Sequence, residues 1–459
     1  MTASAAGFGR ARVSSQPLRV ADPGDERLMT RRAVWLTVLH LLVPGSAQLL
    51  AGNRRVGRFL LGLWLLGWAV VAGAVVLWFA LPQLLLTLPS NALGLTVIQA
   101  ALVGWAIGWA AVTIDTLRLL RLVRIAPLAR GVLAAVLSIA LVLGVSAAGW
   151  GAWAAGVARG TIGEVFGGGR YALPSGGRYN IMLLGGDAGA DRAGRRPDSV
   201  SVVSINAFTG DMVTFGLPRD LTRIPFSEGS PMLAKYPDGY GTHGCNVDVC
   251  QLNSIYTEVS LKNPELYPDA GKDGSSPGIE ATRDAVEGAL GIDVQYYALI
   301  DMGSFEHLID ALGGVTIDVK QRLPIGGGVD AAGNPTGVKV WIEKGRQHLN
   351  GNRALWYARS RHGIGNSDYK RMQRQRELQE AILQQVKPIT VLTRFGKVAK
   401  AGSRAVSTDI PQGLLGDLAG AAVRSRSAKG RTVEFVPPRV DPTHPDWDAI
   451  HAKVQASFR

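Results

Sequence analysis

Two aspartates stand beside short apolar runs in the middle of the chain. Asp187 ends the run 180–187, and Asp198 begins the next strand-like run, 199–206. Two carboxylates at the ends of neighbouring strands can share one Mg2+ or Mn2+ ion, which substrate phosphates and water complete. Aspartates that cap turns are the common alternative at such positions. Spacing alone therefore leaves a metal site and a pair of turn caps open.

Arg219 and Asp220 directly follow another strand-like run, 211–217. A planar guanidinium at a strand end can hold a phosphate through two hydrogen bonds, and Asp220 could orient it from the same turn. An Arg–Asp ion pair on the surface is the alternative.

The densest group of candidate residues follows the segment 354–358. It comprises Arg359, Arg361, Asp368, Arg371, Arg374 and Gln375. On an extended segment, Arg359 and Arg361 would lie on one face. On the following helix, Asp368, Arg371 and Gln375 would share a stripe because they are three and four residues apart. Two such faces would form a cationic pocket, whereas a solvated arginine-rich helix is the alternative.

Several common catalytic motifs are absent from the sequence. It contains no Gly-x-Ser-x-Gly elbow, no Gly-x-x-x-x-Gly-Lys phosphate loop and no His-Glu-x-x-His pair. The candidate residues are cations and carboxylates without an obvious covalent nucleophile. This combination suits phosphoryl transfer by positioning and charge neutralisation.

Alternating strands and helices must position these residues. The strand-like runs are 180–187, 199–206, 211–217, 296–301 and 315–319, and the helical runs are 279–290 and 304–312. The turn at 208–210 predicts a hairpin. The alternation predicts an α/β sandwich around a central mixed sheet. Segment 228–276, rich in Gly, Pro, Asp and Cys, is interpreted as an excursion from that core.

Residues 34–155 are almost continuously apolar. Segments 59–80, 93–115 and 131–155 are long enough to cross a membrane as helices. Segment 34–50 is shorter and is interrupted by Pro44-Gly45-Ser46, so we interpret it as interfacial or re-entrant. Arginine clusters at 54–58 and 118–130 are then both cytoplasmic, as the positive-inside rule requires. We therefore expect a multi-pass protein of the cell membrane, with a cytoplasmic N-terminus and an extracytoplasmic soluble domain.

The predicted order is a disordered cytoplasmic tail at 1–30, a membrane domain at 31–158, a linker at 159–177 and a catalytic domain at 178–459. Residues 1–160 hold 14 arginines and four acidic residues, and so carry ten of the 13 net positive charges. This basicity lies beside the membrane, which argues against a nucleic-acid partner.

Cys245 and Cys250 are the only cysteines of the chain. If their domain lies outside the membrane, they can form a local disulfide. Two free buried thiols are the alternative. His243 is the only other soft ligand nearby, which is too few for a closed zinc site with its four ligands.

The motifs in this order resemble the LytR-CpsA-Psr family of cell-envelope proteins, of an actinobacterial type. The matching segments are 180–187, 196–199, 218–220, 252–256 (Leu-Asn-Ser-Ile-Tyr), 309–315 (Ile-Asp-Ala-Leu-Gly-Gly-Val), 359–361 and 368–375. Pro197 and Ser199 depart from the commoner Ser and Thr around Asp198. The chain departs from the family pattern in two further ways. Segment 228–276 carries a Cys pair, and three membrane crossings are expected where the family usually has a single anchor.

The resemblance implies an α/β/α sandwich with a hydrophobic channel for a polyprenyl chain. It implies that Asp187 and Asp198 bind magnesium and that Arg219, Arg359, Arg361 and Arg371 bind the pyrophosphate, together with Arg374 and Gln375. Asp220 or Asp368 would orient an arginine or accept the proton of the acceptor.

The implied reaction moves a glycopolymer, such as a teichoic acid or arabinogalactan, from a polyprenyl-(pyro)phosphate carrier to a primary hydroxyl of peptidoglycan. The product is a phosphodiester, and polyprenyl phosphate leaves. A polyprenyl-pyrophosphate pyrophosphatase is the alternative enzyme. A non-catalytic envelope scaffold or regulator that binds lipid-linked glycans is the alternative from another class.

Overall fold

The structure is a computed structural model. It describes residues 18–19, 21–80, 88–166, 169–187, 196–330, 335–338, 340–360, 368–385, 394–425 and 431–459. The side chains of Asp187 and Asp368 are among a few within these ranges that lie outside the description. The chain divides into two compact units, Met1–Leu85 with Thr96–Gly156, and Leu86–Leu95 with Val157–Arg459.

Apolar helices dominate the N-terminal part. They are α1 (Glu26–Leu42), α2 (Ser46–Ala51), α3 (Arg54–Ala80), α4 (Ala92–Leu120) and α5 (Pro127–Val165). Among the described residues, three segments are long and apolar enough to cross a membrane: Arg54–Leu77, Ala92–Arg124 and Pro127–Val165. Their number equals the number of crossings expected from the sequence.

Helices α1 and α2 form the segment that was predicted to be interfacial or re-entrant. They are separated by a turn at Gly45, whose φ of 95° favours glycine. Polar contacts attach them to α4: His40 Nε2 lies 3.1 Å from Thr113 Oγ1, and Gln48 Nε2 donates to Thr116 Oγ1 at 3.0 Å. This buried polar packing was not predicted from the sequence.

Two predicted boundaries differ in the structure. Helix α1 begins at Glu26, inside the segment predicted as a disordered tail, because Asp25 caps it by accepting a hydrogen bond from Leu28 N. Residues 1–17 lie outside the described residues. Helix α5 continues to Val165, so the first residues of the predicted linker are helical.

A larger α/β unit follows. Its strands are β1 (Arg178–Asp187), β2 (Arg196–Asn206), β3 (Met212–Leu217), β4 (Tyr296–Asp301), β5 (Val315–Val319), β6 (Leu323–Ile325), β7 (Gly328–Val329), β8 (Pro335–Thr336), β9 (Val340–Ile342), β10 (Gly345–Leu349), β11 (Val406–Thr408) and β12 (Arg431–Glu434). Its helices are α6 (Pro231–Lys235), α7 (Leu252–Lys262), α8 (Pro277–Leu290), α9 (Met302–Leu312), α10 (Gly351–Arg359), α11 (Asp368–Gln385), α12 (Phe395–Ala405), α13 (Leu415–Ser425) and α14 (Trp447–Ala456). Short 3-10 turns are Leu122–Arg124, Pro264–Leu266, Ala270–Asp273 and Gln412–Leu414.

The central sheet has the strand order β11-β4-β1-β2-β3-β12. Strands β1 and β4 are parallel, as are β3 and β12, whereas β2 is antiparallel to both of its neighbours. The sheet is therefore mixed, as predicted. One edge of the sheet consequently carries the start of β2 and the ends of β1, β3, β4 and β12.

Both faces of the sheet are covered. Met182 and Leu184 of β1 pack into the main core with helices α7, α8 and α14, while Tyr179 and Ile181 face a smaller core with Ile410. This alternation follows from the two-residue period of a strand. A second hydrophobic core joins α9, α10 and α11 to the β5–β10 ribbon. The predicted α/β/α layering is therefore present.

The segment 228–276 is more than an excursion. It contains α7, whose Leu252, Ile255 and Val259 are completely buried in the main core. The Gly, Pro and Asp residues around α7 concealed a helix that covers the sheet.

Candidate functional site

The candidate residues of the first two motifs meet at the common edge of the sheet. Asp187 ends β1, Asp198 lies near the start of β2, and Arg219 follows β3. Neighbouring strand ends were predicted from the sequence. In the structure, β2 is antiparallel to both β1 and β3, so the start of β2 lies beside the ends of β1 and β3.

A β-bulge places Asp198. Gly185 pairs with Ser199 and Gly186 pairs with Pro197, so Asp198 is an extra residue between two pairs. A Cβ atom on Gly185 would approach the Ser199 hydroxyl too closely unless that side chain rotated. Bulges redirect a side chain away from the regular alternation of a strand. The chain therefore departs from regular pairing at the residue that organises the site.

Two arginines from distant parts of the chain converge on Asp198. Arg219 Nη1 lies 3.0 Å from Asp198 Oδ1. Arg371, on α11, donates from Nη2 to the Asp198 carbonyl at 2.9 Å, and its Nη1 lies 3.7 Å from the same Oδ1. The first and third motifs thus meet in one ionic cluster, which we call the Asp198 cluster (Asp198, Arg219 and Arg371).

The Asp198 cluster is largely shielded from water. The side chains of Arg371, Asp198 and Arg219 are 2%, 12% and 22% exposed. Removing one partner of a buried ion pair typically costs about 3–5 kcal/mol because the remaining charge is left without compensation. Asp198 therefore serves as a counter-ion to two arginines.

The N-terminus of α7 fixes the loop that carries Arg219. Leu252 N donates to the Leu221 carbonyl at 2.9 Å, and Asn253 N donates to the Arg219 carbonyl at 3.2 Å. The first amides of a helix have no partner within the helix, so they are available for such contacts. The sequence motif 252–256 therefore supports the Arg219 loop from behind.

Asp220 is oriented by Tyr369 in the first turn of α11. The Tyr369 hydroxyl donates to Asp220 Oδ2 at 3.3 Å. Asp220 Oδ1 is buried and has no hydrogen-bond partner among the residues that the structure describes. A carboxylate oxygen left without a donor is a candidate proton acceptor. The other candidate, Asp368, has its side chain outside the described part.

Arg374 and Gln375 contact the end of helix α10. Arg374 is 8% exposed and donates from Nε to the Tyr357 carbonyl at 3.0 Å and from Nη2 to the Ser360 carbonyl. Gln375 Nε2 donates to the Ala358 carbonyl at 3.4 Å. Both side chains therefore bind carbonyls at the end of α10 and position this helix end. Their predicted role in binding phosphate stays a prediction.

Arg359 is the last residue of α10, so the expected extended segment is wrong at this position. The helix forms because Asn350 caps it by accepting from Arg353 N, and buried Ala354, Leu355 and Tyr357 anchor it. Arg359 is half-buried at its C-terminus. Arg361 lies outside the described residues, so its predicted role stays a prediction.

The fit of a magnesium ion can be judged from Asp198 alone. Its carboxylate is a hard oxygen donor at a strand end, next to the strand that ends at Asp187, and such donors suit Mg2+. Within the described part of the chain, no group of three or more His, Cys, Asp or Glu side chains could hold a metal ion. A single carboxylate of this kind suits an ion whose remaining ligands are substrate phosphates and water.

Cys245 and Cys250 form a disulfide in the loop before α7. The loop is attached to buried Glu258 of α7, which accepts from Tyr240 Oη at 2.9 Å and from Asn246 N at 3.2 Å. Tyr240 also exchanges backbone hydrogen bonds with Ile224. The disulfide loop therefore braces the segment that follows Arg219.

Comparison with known proteins gives a family match. The model of the LytR_cpsA_psr family matches residues 170–442. The polyisoprenyl-teichoic acid–peptidoglycan teichoic acid transferase TagV of Bacillus subtilis is 26% identical over 233 residues, 50% of this chain and 50% of that protein. The regulatory protein MsrR of Staphylococcus aureus is 28% identical over 235 residues, 51% of this chain and 57% of that protein. The match spans between half and two thirds of the length of these curated relatives.

Solved structures are also similar. The crystal structure of Bacillus subtilis TagV has a TM-score of 0.41 and 22% identity, and the match covers 61% of this chain and 96% of that one. A LytR-Csp2A-Psr enzyme from Actinomyces oris has a TM-score of 0.36 and 22% identity, with 60% of this chain and 89% of that one covered.

Proposed function

The chain belongs to the LytR_cpsA_psr family, and on that premise we propose that it transfers a glycopolymer from a polyprenyl-(pyro)phosphate carrier to peptidoglycan. The polymer is of a teichoic-acid or arabinogalactan type. The observation that carries the proposal is the convergence of Arg219 and Arg371 on Asp198. Two related transferases are named for moving polyisoprenyl-linked teichoic acid to peptidoglycan.

In the proposed reaction, a primary hydroxyl of the acceptor attacks the phosphorus next to the glycan. The bond between that phosphorus and the bridging oxygen of the pyrophosphate breaks, and polyprenyl phosphate leaves with the bond electrons. The glycan phosphate is then joined to the acceptor by a phosphodiester. Arg219 and Arg371, together with Arg359 and Arg361, offset the charge on the pyrophosphate.

Asp198 holds two of these arginines in place. Without its carboxylate, two guanidinium groups would repel each other across a largely dry site. Asp220 or Asp368 accepts the proton of the attacking hydroxyl, and Tyr369 orients the Asp220 carboxylate. The proton then passes to solvent or to the leaving phosphate.

Asp187 and Asp198 would hold Mg2+ or Mn2+. When bound, the ion supplies charge neutralisation to the donor phosphates. The chemistry of the donor set supports this assignment, since both residues are aspartates at adjacent strand ends.

The proposed topology places the catalytic unit outside the membrane. Three crossings follow from three suitable helices, and the arginine clusters at 54–58 and 118–130 then lie in the cytoplasm. Alkaline phosphatase, which is active only outside the cytoplasm, should be active when fused after Gly169 and inactive when fused after Asn53. Activity after Asn53 would instead mean that α1 and α2 cross the membrane.

The transfer itself is tested with the full-length protein in lipid nanodiscs, a synthetic polyprenyl-pyrophosphate glycan, Mg2+ and a peptidoglycan oligomer. Mass spectrometry should find a glycan-phosphate adduct on the oligomer, and Arg219→Ala should abolish it. Free glycan phosphate without an adduct would indicate a pyrophosphatase. Intact lipid would indicate a scaffold or regulator.

A further inference from the structure

Three large apolar side chains are exposed at the edge of the sheet opposite the Asp198 cluster. Phe208 lies in the turn between β2 and β3, and Tyr171 and Leu173 lie in the segment that leads into β1. Their exposed fractions are 79%, 55% and 77%. The turn and the segment are neighbours, because a Cβ atom on Gly177 would lie 3.8 Å from the Phe208 ring. We call this surface the apolar rim (Tyr171, Leu173 and Phe208).

Hydrogen bonds hold the backbone of the apolar rim in place. Asn206 Oδ1 accepts from Phe208 N and from Thr209 N, both at 2.9 Å, which orders the turn. In the segment before β1, Ala172 N donates to Tyr296 Oη at 2.7 Å. A fixed backbone therefore presents the three apolar side chains to the outside. Exposed apolar side chains that are grouped in this way mark a contact surface.

Helix α5 ends beside the apolar rim. Phe166, the residue after α5, packs against the smaller core of the sheet, and so do Ala172 and Ala207. Ala172 lies between two rim residues in sequence, and Ala207 directly precedes the third. The chain therefore passes from α5 to the rim without leaving this edge of the sheet.

The charges of α5 indicate how far the rim lies from lipid when this helix crosses the membrane. Residues 131–158 carry no charge, and Arg159 is the first charged residue after them. The outer boundary of the hydrocarbon is therefore expected close to Arg159. From Arg159 to Val165 the helix rises by about 10 Å. The headgroup layer is about 5–8 Å thick, so the end of α5 and the rim beside it are expected at the outer surface of that layer.

The charges around the apolar rim balance. Arg424 Nη2 donates to the Ala207 carbonyl at 3.1 Å, and Arg431 Nη2 lies 3.3 Å from Asp211 Oδ2. Among the described residues near this edge, four arginines accompany four aspartates: Arg170, Arg178, Arg424 and Arg431, and Asp211, Asp273, Asp293 and Asp417. A balanced edge neither repels nor strongly attracts anionic headgroups. The apolar side chains then decide what the rim contacts.

We propose that the apolar rim rests in the lipid headgroup layer of the membrane that α5 crosses, and that it fixes the height of the candidate active site above this membrane. The inference rests on the proposed topology, in which the α/β unit lies outside the membrane. Aromatic and leucine side chains suit the boundary between headgroups and acyl chains. Strand β1 has ten residues, so the Asp198 cluster lies about 30 Å from the rim. The donor phosphates are then bound well above the headgroups.

Spin labels on single cysteines test this contact. Both native cysteines are joined in the disulfide, so an introduced cysteine is the thiol that reacts with the label. The full-length variants Phe208→Cys and Leu173→Cys are placed in nanodiscs with one copy in each disc. The controls are Val142→Cys, at an exposed position in the apolar part of α5, and Val340→Cys, at an exposed position on β9. Electron paramagnetic resonance compares collisions of each label with oxygen, which enters lipid, and with a polar nickel complex, which stays in water.

The ratio of oxygen to nickel collisions at both rim positions should exceed the ratio at Val340 by about threefold or more, because oxygen is apolar and partitions into lipid. High salt should leave this difference unchanged, since the contact is apolar. Equal ratios at the rim positions and at Val340, with a lipid-like ratio at Val142, would overturn the rim contact and leave the proposed topology intact. A water-like ratio at Val142 would overturn both. No donor lipid is present, so absence of transfer in a separate assay would count against the proposed function alone.

Discussion

Arg371 donates a hydrogen bond to the backbone carbonyl of Asp198 at 2.9 Å, and it lies 3.7 Å from the carboxylate of the same residue. Residues 173 positions apart in sequence are thereby joined in the least exposed part of the site. Counted over the whole residue, Arg371 is 1% exposed, which is unusual for an arginine. This contact links the helix that carries the third motif to the strand that carries the first.

Asp198→Asn should destabilise the protein. The amide keeps an acceptor for Arg219 but removes the negative charge that both arginines share. We expect the free energy of unfolding to fall by about 3 kcal/mol, in line with the loss of one partner of a buried ion pair. Urea unfolding of the detergent-solubilised protein measures this change. An unchanged midpoint would mean that the Asp198 cluster contributes no stability.

Arg371→Lys should retain the fold and lose activity. Lysine keeps the charge, but it cannot reach the carbonyl and the carboxylate with a planar fork. Losing one charge-assisted hydrogen bond of about 1.5–3 kcal/mol in the transition state lowers turnover by roughly tenfold to a hundredfold. The control is Lys370→Ala, which changes the exposed neighbouring residue and should keep wild-type turnover. Equal turnover in Arg371→Lys would show that only the charge matters.

The elements of this arrangement that have local signals could be predicted from the sequence. The apolar run of β1 and the glycine that ends α8 are local signals, and both elements were found where they were predicted. The end of α10 was predicted to be extended, because the sequence does not show that Arg374 binds its last carbonyls. Such contacts depend on tertiary packing. The short edge strands β11 and β12 were missed for the same reason.

Asp284→Asn should flatten the dependence of stability on pH. Burial raises the pKa of Asp284 above the usual value of 3.8, although hydrogen bonds from Ser230 and Tyr267 oppose the shift. The folded state therefore binds more protons than the unfolded state, and this carboxyl makes stability fall as pH rises above about 4. Asparagine can still accept from the Tyr267 hydroxyl, which lies 2.6 Å from the carboxylate.

Thermal unfolding midpoints measured between pH 4 and pH 7 test this change. The variant should lose part of the wild-type decline over that range. The control is Asp248→Asn, an exposed aspartate for which the wild-type slope should persist. A steeper decline in Asp284→Asn would contradict the assigned direction of the pKa shift.

Replacing both Cys245 and Cys250 by serine should lower the free energy of unfolding by about 2 kcal/mol, the value expected for a loop this short. The loop braces the segment after Arg219 through Tyr240 and Ile224. Turnover should therefore fall together with stability. Reduction of the wild type with dithiothreitol should reproduce both effects, and the serine variant should not respond to it. If dithiothreitol also lowered the stability or turnover of the serine variant, its effect would not arise from this disulfide.

The most direct test of the proposed transfer follows the phosphorus atom of the donor. A donor lipid is synthesised with 18O in the non-bridging positions of the phosphate next to the glycan, and the full-length protein is incubated with it, Mg2+ and a peptidoglycan oligomer. The labelled phosphate should join the glycan to the oligomer, and Arg371→Ala should abolish this product. Recovery of the labelled phosphate only as free glycan phosphate, or an oligomer that carries glycan without the label, would contradict it.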